Sequence, residues 1–130
     1  MFSSSTNPSG ASWHAASPPP FENARPFRAD ADVSELDDKG RPGPAWTVTT
    51  THLGRANVSI SSRRLVYEGR VLVLAVHLLD ATPTLLCGSV KSCIYAGEAS
   101  HLIVMDLLPT PADDTITRWL MGRAPQRKPA

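Results

Sequence analysis

The 130-residue sequence is short of cysteine, of long apolar runs and of any excess of one charge. Its two cysteines, Cys87 and Cys93, lie in what reads as one extended strand. Six steps of about 3.3 Å would part them by roughly 20 Å, against the about 7 Å between Cα atoms that a disulfide tolerates. Neither a Cys-x-x-Cys nor a Cys–His spacing marks a zinc site, so both read as small buried hydrophobes or inert thiols. The most apolar run, Val71-Leu72-Val73-Leu74-Ala75-Val76 continuing to Leu79, is about half the length that a bilayer-spanning helix needs. No Lys or Arg precedes Arg25 and the N-terminal stretch has no continuous apolar core, unlike a secretory signal. These absences predict a cytoplasmic protein without a membrane span. The formal net charge of +1 also lacks the strongly positive balance of a dedicated nucleic-acid binder.

Catalytic patterns are missing as well. The histidines, His14, His52, His77 and His101, are scattered over four segments, whereas catalysis needs a positioned acid, base or nucleophile in one cleft. There is no Gly-x-Ser-x-Gly elbow and no His-Glu-x-x-His pair. The acidic cluster Asp30, Asp32, Glu35, Asp37 and Asp38 lacks the Gly and Glu placing of a calcium loop and reads as a solvated hairpin. Asn57-Val58-Ser59 matches a glycosylation sequon, which carries no meaning without a secretory signal. The residues predict a non-enzymatic protein with no cofactor and no metal.

What is present is a chain of strands behind a polar leader. Residues 1 to 26 are rich in Ser and Pro and include Pro18-Pro19-Pro20, too few large apolar groups to offset the entropy of ordering them. A disordered leader is expected there, in which Trp13 and Phe21 read as unpacked aromatics of a tail rather than anchors to a partner. From Phe27 the pattern alternates through Ala29, Ala31 and Val33 towards Leu36, and Asp37-Asp38-Lys39-Gly40-Arg41-Pro42-Gly43-Pro44 is a turn cluster. Trp46, Val48 and the threonines 47 and 49 to 51 favour a pleated surface. Residues 52 to 57 read as a loop, and Val58, Ile60 and Ser62 alternate with Ser59 and Ser61 as a third strand. Glu68-Gly69 turns into the strand from Arg70 to Leu79, apolar on both faces and so central in a barrel or covered by a helix. Asp80 to Thr84 closes a hairpin. Leu85 to Tyr95 follows, with Leu86, Gly88, Val90, Ser92 and Ile94 expected on one face, and His101 to Leu108 is a sixth strand after the tight connection Ala96-Gly97-Glu98-Ala99.

The period then changes. Thr110 is the expected N-cap, Pro111 suits the first helical position, and Asp113 and Asp114 favour the positive helix start. Ile116, Trp119 and Leu120 recur at helical spacing before Gly122. The sequence predicts a mostly β domain over residues 27 to 122, a small six-stranded antiparallel β-barrel with a C-terminal α-helix, followed by a flexible basic tail from 123 to 130.

Residues Trp46 to Trp119 resemble the PilZ family, barrel domains with which many bacteria sense cyclic di-GMP. A strand ending Val48-Thr49-Thr50-Thr51 runs into His52-Leu53-Gly54-Arg55-Ala56-Asn57, where the family has an Asp/Asn-x-Ser-x-x-Gly loop. Val58-Ser59-Ile60-Ser61-Ser62-Arg63-Arg64 is similar to the strand after that loop. Glu68-Gly69-Arg70 leads into the long apolar strand as in the family, and Cys87-Gly88-Ser89-Val90-Lys91 resembles its Gly-x-Val pattern. Nucleotide-binding members also carry Arg-x-x-x-Arg before the first strand, whose guanidinium groups stack on guanine and clamp phosphate. Here the nearest match is Arg25-Pro26-Phe27-Arg28, one residue short and stiffened by proline. In the second motif acid, Ser and Gly become His52, Gly54 and Asn57. A frame with Asn57, Ser59 and Ser62 keeps two of the three residue types, but leaves few residues for a further strand before Gly69.

The resemblance implies candidate ligand contacts from Arg25, Arg28, His52, Gly54, Arg55, Asn57 and Arg63. Each charge-assisted hydrogen bond lost from such a clamp costs about 1.5–3 kcal/mol, and two or three losses weaken binding by roughly two to six orders of magnitude. The expected function is therefore a PilZ-like signalling and interaction module in cyclic di-GMP-linked pathways. It would have weak or lost nucleotide affinity and a protein partner, met near residues 52 to 64 or through the termini. Two alternatives stand beside it: a genuine cyclic di-GMP receptor whose leader orders on binding, and a ligand-free structural barrel.

Overall fold

The computed structural model describes residues 19–79 and 82–123. Seven strands are followed by one helix: β1 (Arg25–Pro26), β2 (Asp30–Glu35), β3 (Trp46–Leu53), β4 (Asn57–Ser62), β5 (Val71–His77), β6 (Thr84–Gly97), β7 (Ser100–Leu108) and α1 (Asp114–Gly122). Neighbours run β1-β3-β2-β5-β6-β7-β4, and a further β3–β4 pairing closes the ring. All ladders are antiparallel. The result is a closed six-stranded antiparallel barrel with one short extra strand, β1, and a C-terminal helix, as the alternation and turn spacing predict. No helix among the described residues is long and apolar enough to cross a membrane.

The long apolar strand explains both expectations made for it. Leu72, Leu74 and Val76 point into the barrel with Val33, Val58, Ile60, Ile103 and Met105. Val73, on the other face of β5, joins Cys87 and Ile116 in a second cluster outside the barrel wall, flanked by Trp119. The helix lies over that patch, and the Trp119 indole N–H donates to Ser34 Oγ at 3.0 Å. A strand that is both barrel wall and helix seat needs apolar groups on both faces. Burial beneath α1 pushes the Cys87 thiol pKa up, because the thiolate is the form that loses solvation.

Several local expectations give way to tertiary detail. Asp113, not Thr110, caps α1: its carboxylate accepts from the Thr115 N–H at 2.8 Å, so Thr110 and Pro111 precede the helix. His52 and Leu53 belong to β3, and the connecting loop shrinks to Gly54, Arg55 and Ala56. The β6–β7 register shifts between Val90 and Ser92, so the face predicted for Leu86, Gly88, Val90, Ser92 and Ile94 does not persist. Beyond this bulge Cys93 packs on the barrel interior, while Ile94 is exposed. One extra residue reverses which side chains point inward. Cys87 and Cys93 are both free thiols, one under the helix and the other against the interior. Gly88 allows a close approach there, since a Cβ would sit 2.9 Å from Met105 Cβ.

Residues 63 to 70 form a loop with no strand in it. The premise against the Asn57-Ser59-Ser62 frame, a strand needed before Gly69, does not hold. These three residues lie in β4, where Ser62 Oγ accepts from the Trp46 indole N–H at 3.1 Å. Arg25 and Pro26, assigned by composition to the leader, pair with Leu53 and His52. The expectation for residues 1 to 18 and for 124 to 130 lies outside the described residues.

Candidate functional site: a groove at one end of the barrel

At the end of the barrel where β3 turns into β4, a groove of about 680 Å³ is lined by Asn23, Ala24, Arg25, Leu53, Gly54 and Arg55. One wall comes from the segment leading into β1 and the other from the β3–β4 connection. That connection is short and tied twice: the Gly54 N–H donates to Asn57 O at 2.9 Å and the Leu107 N–H to Ala56 O at 2.8 Å. Arg55 therefore projects from a braced tip. The facing wall turns at residues 21–24, where the Ala24 N–H reaches Phe21 O at 3.3 Å and Asn23 takes a φ of 62°.

Gly54 joins the two walls. A Cβ built on it would lie 2.8 Å from Phe21 Cε1 and 3.3 Å from Asn23 O. The absence of a side chain lets the Phe21 ring seat against the loop, which is a reason for glycine that depends on close approach.

Between β1 and β2 the chain takes four steps, from Pro26 to Asp30, while β3 takes three, from His52 to Thr49. The surplus is a bulge at residues 27 to 29. The Thr50 hydroxyl fills the broken ladder, accepting from the Ala29 N–H at 2.8 Å and donating to Phe27 O at 2.8 Å. The bulge separates the two arginines that the sequence grouped. Arg25 lines the groove, whereas Arg28 lines a second cavity of about 480 Å³ with Ala29, His77, Leu78 and Leu79. In that cavity His77 Nε2 is 3.0 Å from Asp32 Oδ2.

Of the seven candidates, Arg25, Gly54 and Arg55 meet at one groove. His52 neighbours it in β3, paired with Pro26 on one side and Ser59 on the other, and its Nδ1 is buried with no partner among the described residues. Asn57 is committed elsewhere: its side-chain amide donates to Asp106 Oδ1 at 2.7 Å and to Met105 O at 3.3 Å. Arg63 lies exposed just past the far end of β4, eight residues along the chain from Arg55 at the loop tip. The expected single clamp is thus spread over four places. The sequence reading did not include Asn23 and Ala24, which carry no recognisable motif; only their position before β1 brings them to the groove.

The lining includes two guanidinium groups and no carboxylate, and no described carboxylate pairs with either one. Unpaired guanidinium groups at a concave rim favour an anion, above all one with planar or bidentate acceptors. The volume falls in the range of about 300–1,000 Å³ typical of small-molecule sites. No protein-family model matches the sequence, and no curated protein matches it.

Proposed function

We propose that the chain is a non-enzymatic, PilZ-like signalling module of cyclic di-GMP-linked pathways that acts in the cytoplasm through protein contact, with little nucleotide affinity of its own. The observation that carries this reading is the dispersal of the clamp. Arg25 and Arg55 share a groove, but Arg28 opens onto another cavity and Asn57 is bonded to Asp106. A dinucleotide with two phosphates would meet two cations instead of a full set of charge-assisted donors, and each missing bond weakens binding by about 1.5–3 kcal/mol.

A second reading, a true receptor for cyclic di-GMP, draws support from the same groove, because Arg25 and Arg55 line it together with a glycine. Calorimetry with the full chain at tens of micromolar (roughly the limit for weak binding) separates the two. The proposal expects no saturable heat with cyclic di-GMP. Saturating heat that disappears in an Arg25→Ala, Arg55→Ala double variant would establish the receptor instead.

A further inference from the structure

The closed ring removes most of the free edges that an open sheet presents, yet, besides the two-residue β1, part of β6 keeps one among the described residues. Pairing of β5 with β6 ends at Val71 and Ser89. Val90 is the last β6 residue met from that side, accepting from the Gly69 N–H and donating to Arg70 O, both at 2.8 Å. The strand then continues through residues 91–97. Among the described residues, the backbone of that stretch bonds only to β7. The β7 residues opposite it are paired in turn with β4, so past Val90 β6 is the outermost strand of a three-stranded sheet, β4-β7-β6, with its far edge unpaired among the described residues.

Although Cys93 packs inward, exposed side chains stand on both faces of this edge. Ile94 is 61% exposed and the adjacent Tyr95, on the opposite face, 62%. Its irregularities fall at the base, between Val90 and Ser92, and near the tip, between Tyr95 and Gly97; Ser92 to Tyr95 pair regularly with Val104 to His101. No proline interrupts the stretch, and Lys91 is its single charge. Edge strands are normally blunted by charge, proline or cover. This one is apolar at its centre and charged only near its ends, Lys91 at the base and Glu98 just past the tip.

We infer that residues 91–97 form a self-pairing edge, through which two copies of the chain join antiparallel about a two-fold axis. A two-fold perpendicular to the sheet keeps each face on its own side, so the register must centre on a residue. Centred on Ile94, it sets that residue against its twin and Cys93 against Tyr95. Lys91 then meets Gly97 beside Glu98 of the other copy, at both ends of the junction. Like charges never face one another, opposite charges sit diagonally, and the exposed apolar groups cover each other. The segment is complementary to itself in charge as well as in hydrogen bonding, and a second copy satisfies both.

Sedimentation equilibrium of the full chain from about 1 to 300 μM, a range that brackets weak association, tests this. A reversible monomer–dimer equilibrium is expected. Ile94→Lys, which faces two like charges at the axis, should weaken it at least about tenfold and leave the circular dichroism and thermal melt unchanged. Lys91→Glu should weaken the dimer, and adding Glu98→Lys should restore it. A monomer at every concentration would overturn the inference, including the case in which the edge captures a strand of another protein. A dimer indifferent to Ile94→Lys and to the charge exchange would overturn it too.

Discussion

The two ends of this barrel are closed by different means. At the end where β2 leaves and β5 enters, the loop of residues 63 to 70 crosses the opening and drops a single buried side chain, Val66, into the interior. Its neighbours Leu65 and Tyr67 stay exposed, and the Arg64 guanidinium lies 4.4 Å from the centroid of the Trp46 ring. At the other end the segment before β1 lies alongside the β3–β4 connection, leaving the Arg25–Arg55 groove between them. Apolar burial seals one end, while backbone contact and a glycine shape the other. The sealed end is suited to stability and the grooved end to holding something, because a seated strap can shift where a plug cannot.

The largest expected effect lies at the sealed end. Val66→Ala removes a fully enclosed side chain and should lower unfolding stability by about 2 kcal/mol, read from urea denaturation. A loss near zero would mean that the loop is not a plug. At the grooved end, Gly54→Leu should displace Phe21 and the segment leading into β1, with a cost of about 1 kcal/mol because that segment can move away. Amide hydrogen exchange should then speed up over residues 19 to 26 while the barrel strands keep their protection. Loss of protection throughout would show that the groove is as integral as the plug. The smallest effect concerns the β6–β7 hairpin beside the sealed end. Glu98 and Ala99 have φ of 54° and 61° in its two-residue turn, a conformation that glycine adopts without penalty. Ala99→Gly should raise stability by about 0.5–1 kcal/mol, seen as a higher melting temperature.

Elements with a strong period were readable from the residues. The run Val71 to Val76 announced a strand buried on both faces, and β5 is that strand. Ile116 and Trp119 announced the face by which α1 packs. Bulges were not readable, because the surplus residues Arg28 and Lys91 look like any other member of an alternating run. Yet the first bulge sends Arg28 to a different cavity and the second turns Ile94 outward. The groove was half legible: Arg25, Gly54 and Arg55 stand out by type, whereas Asn23 and Ala24 reach it only through the path of the chain. Cap choice was settled by geometry that propensity does not contain, since Thr110 and Asp113 are both good candidates and only Asp113 reaches an amide of the first turn.

The order of strands around the ring has a consequence for how the chain must fold. β3–β4, β5–β6 and β6–β7 are neighbours in sequence, but β4 pairs with β7 and β2 with β5 across long stretches of chain. Hairpins form first and cheaply, whereas the seams joining them wait on loop closure. The Asn57–Asp106 seam cannot form until β7 has been synthesised. A product cut short before residue 100 would expose the flanks of β4 and β6 together, leaving a sticky open sheet in place of a ring.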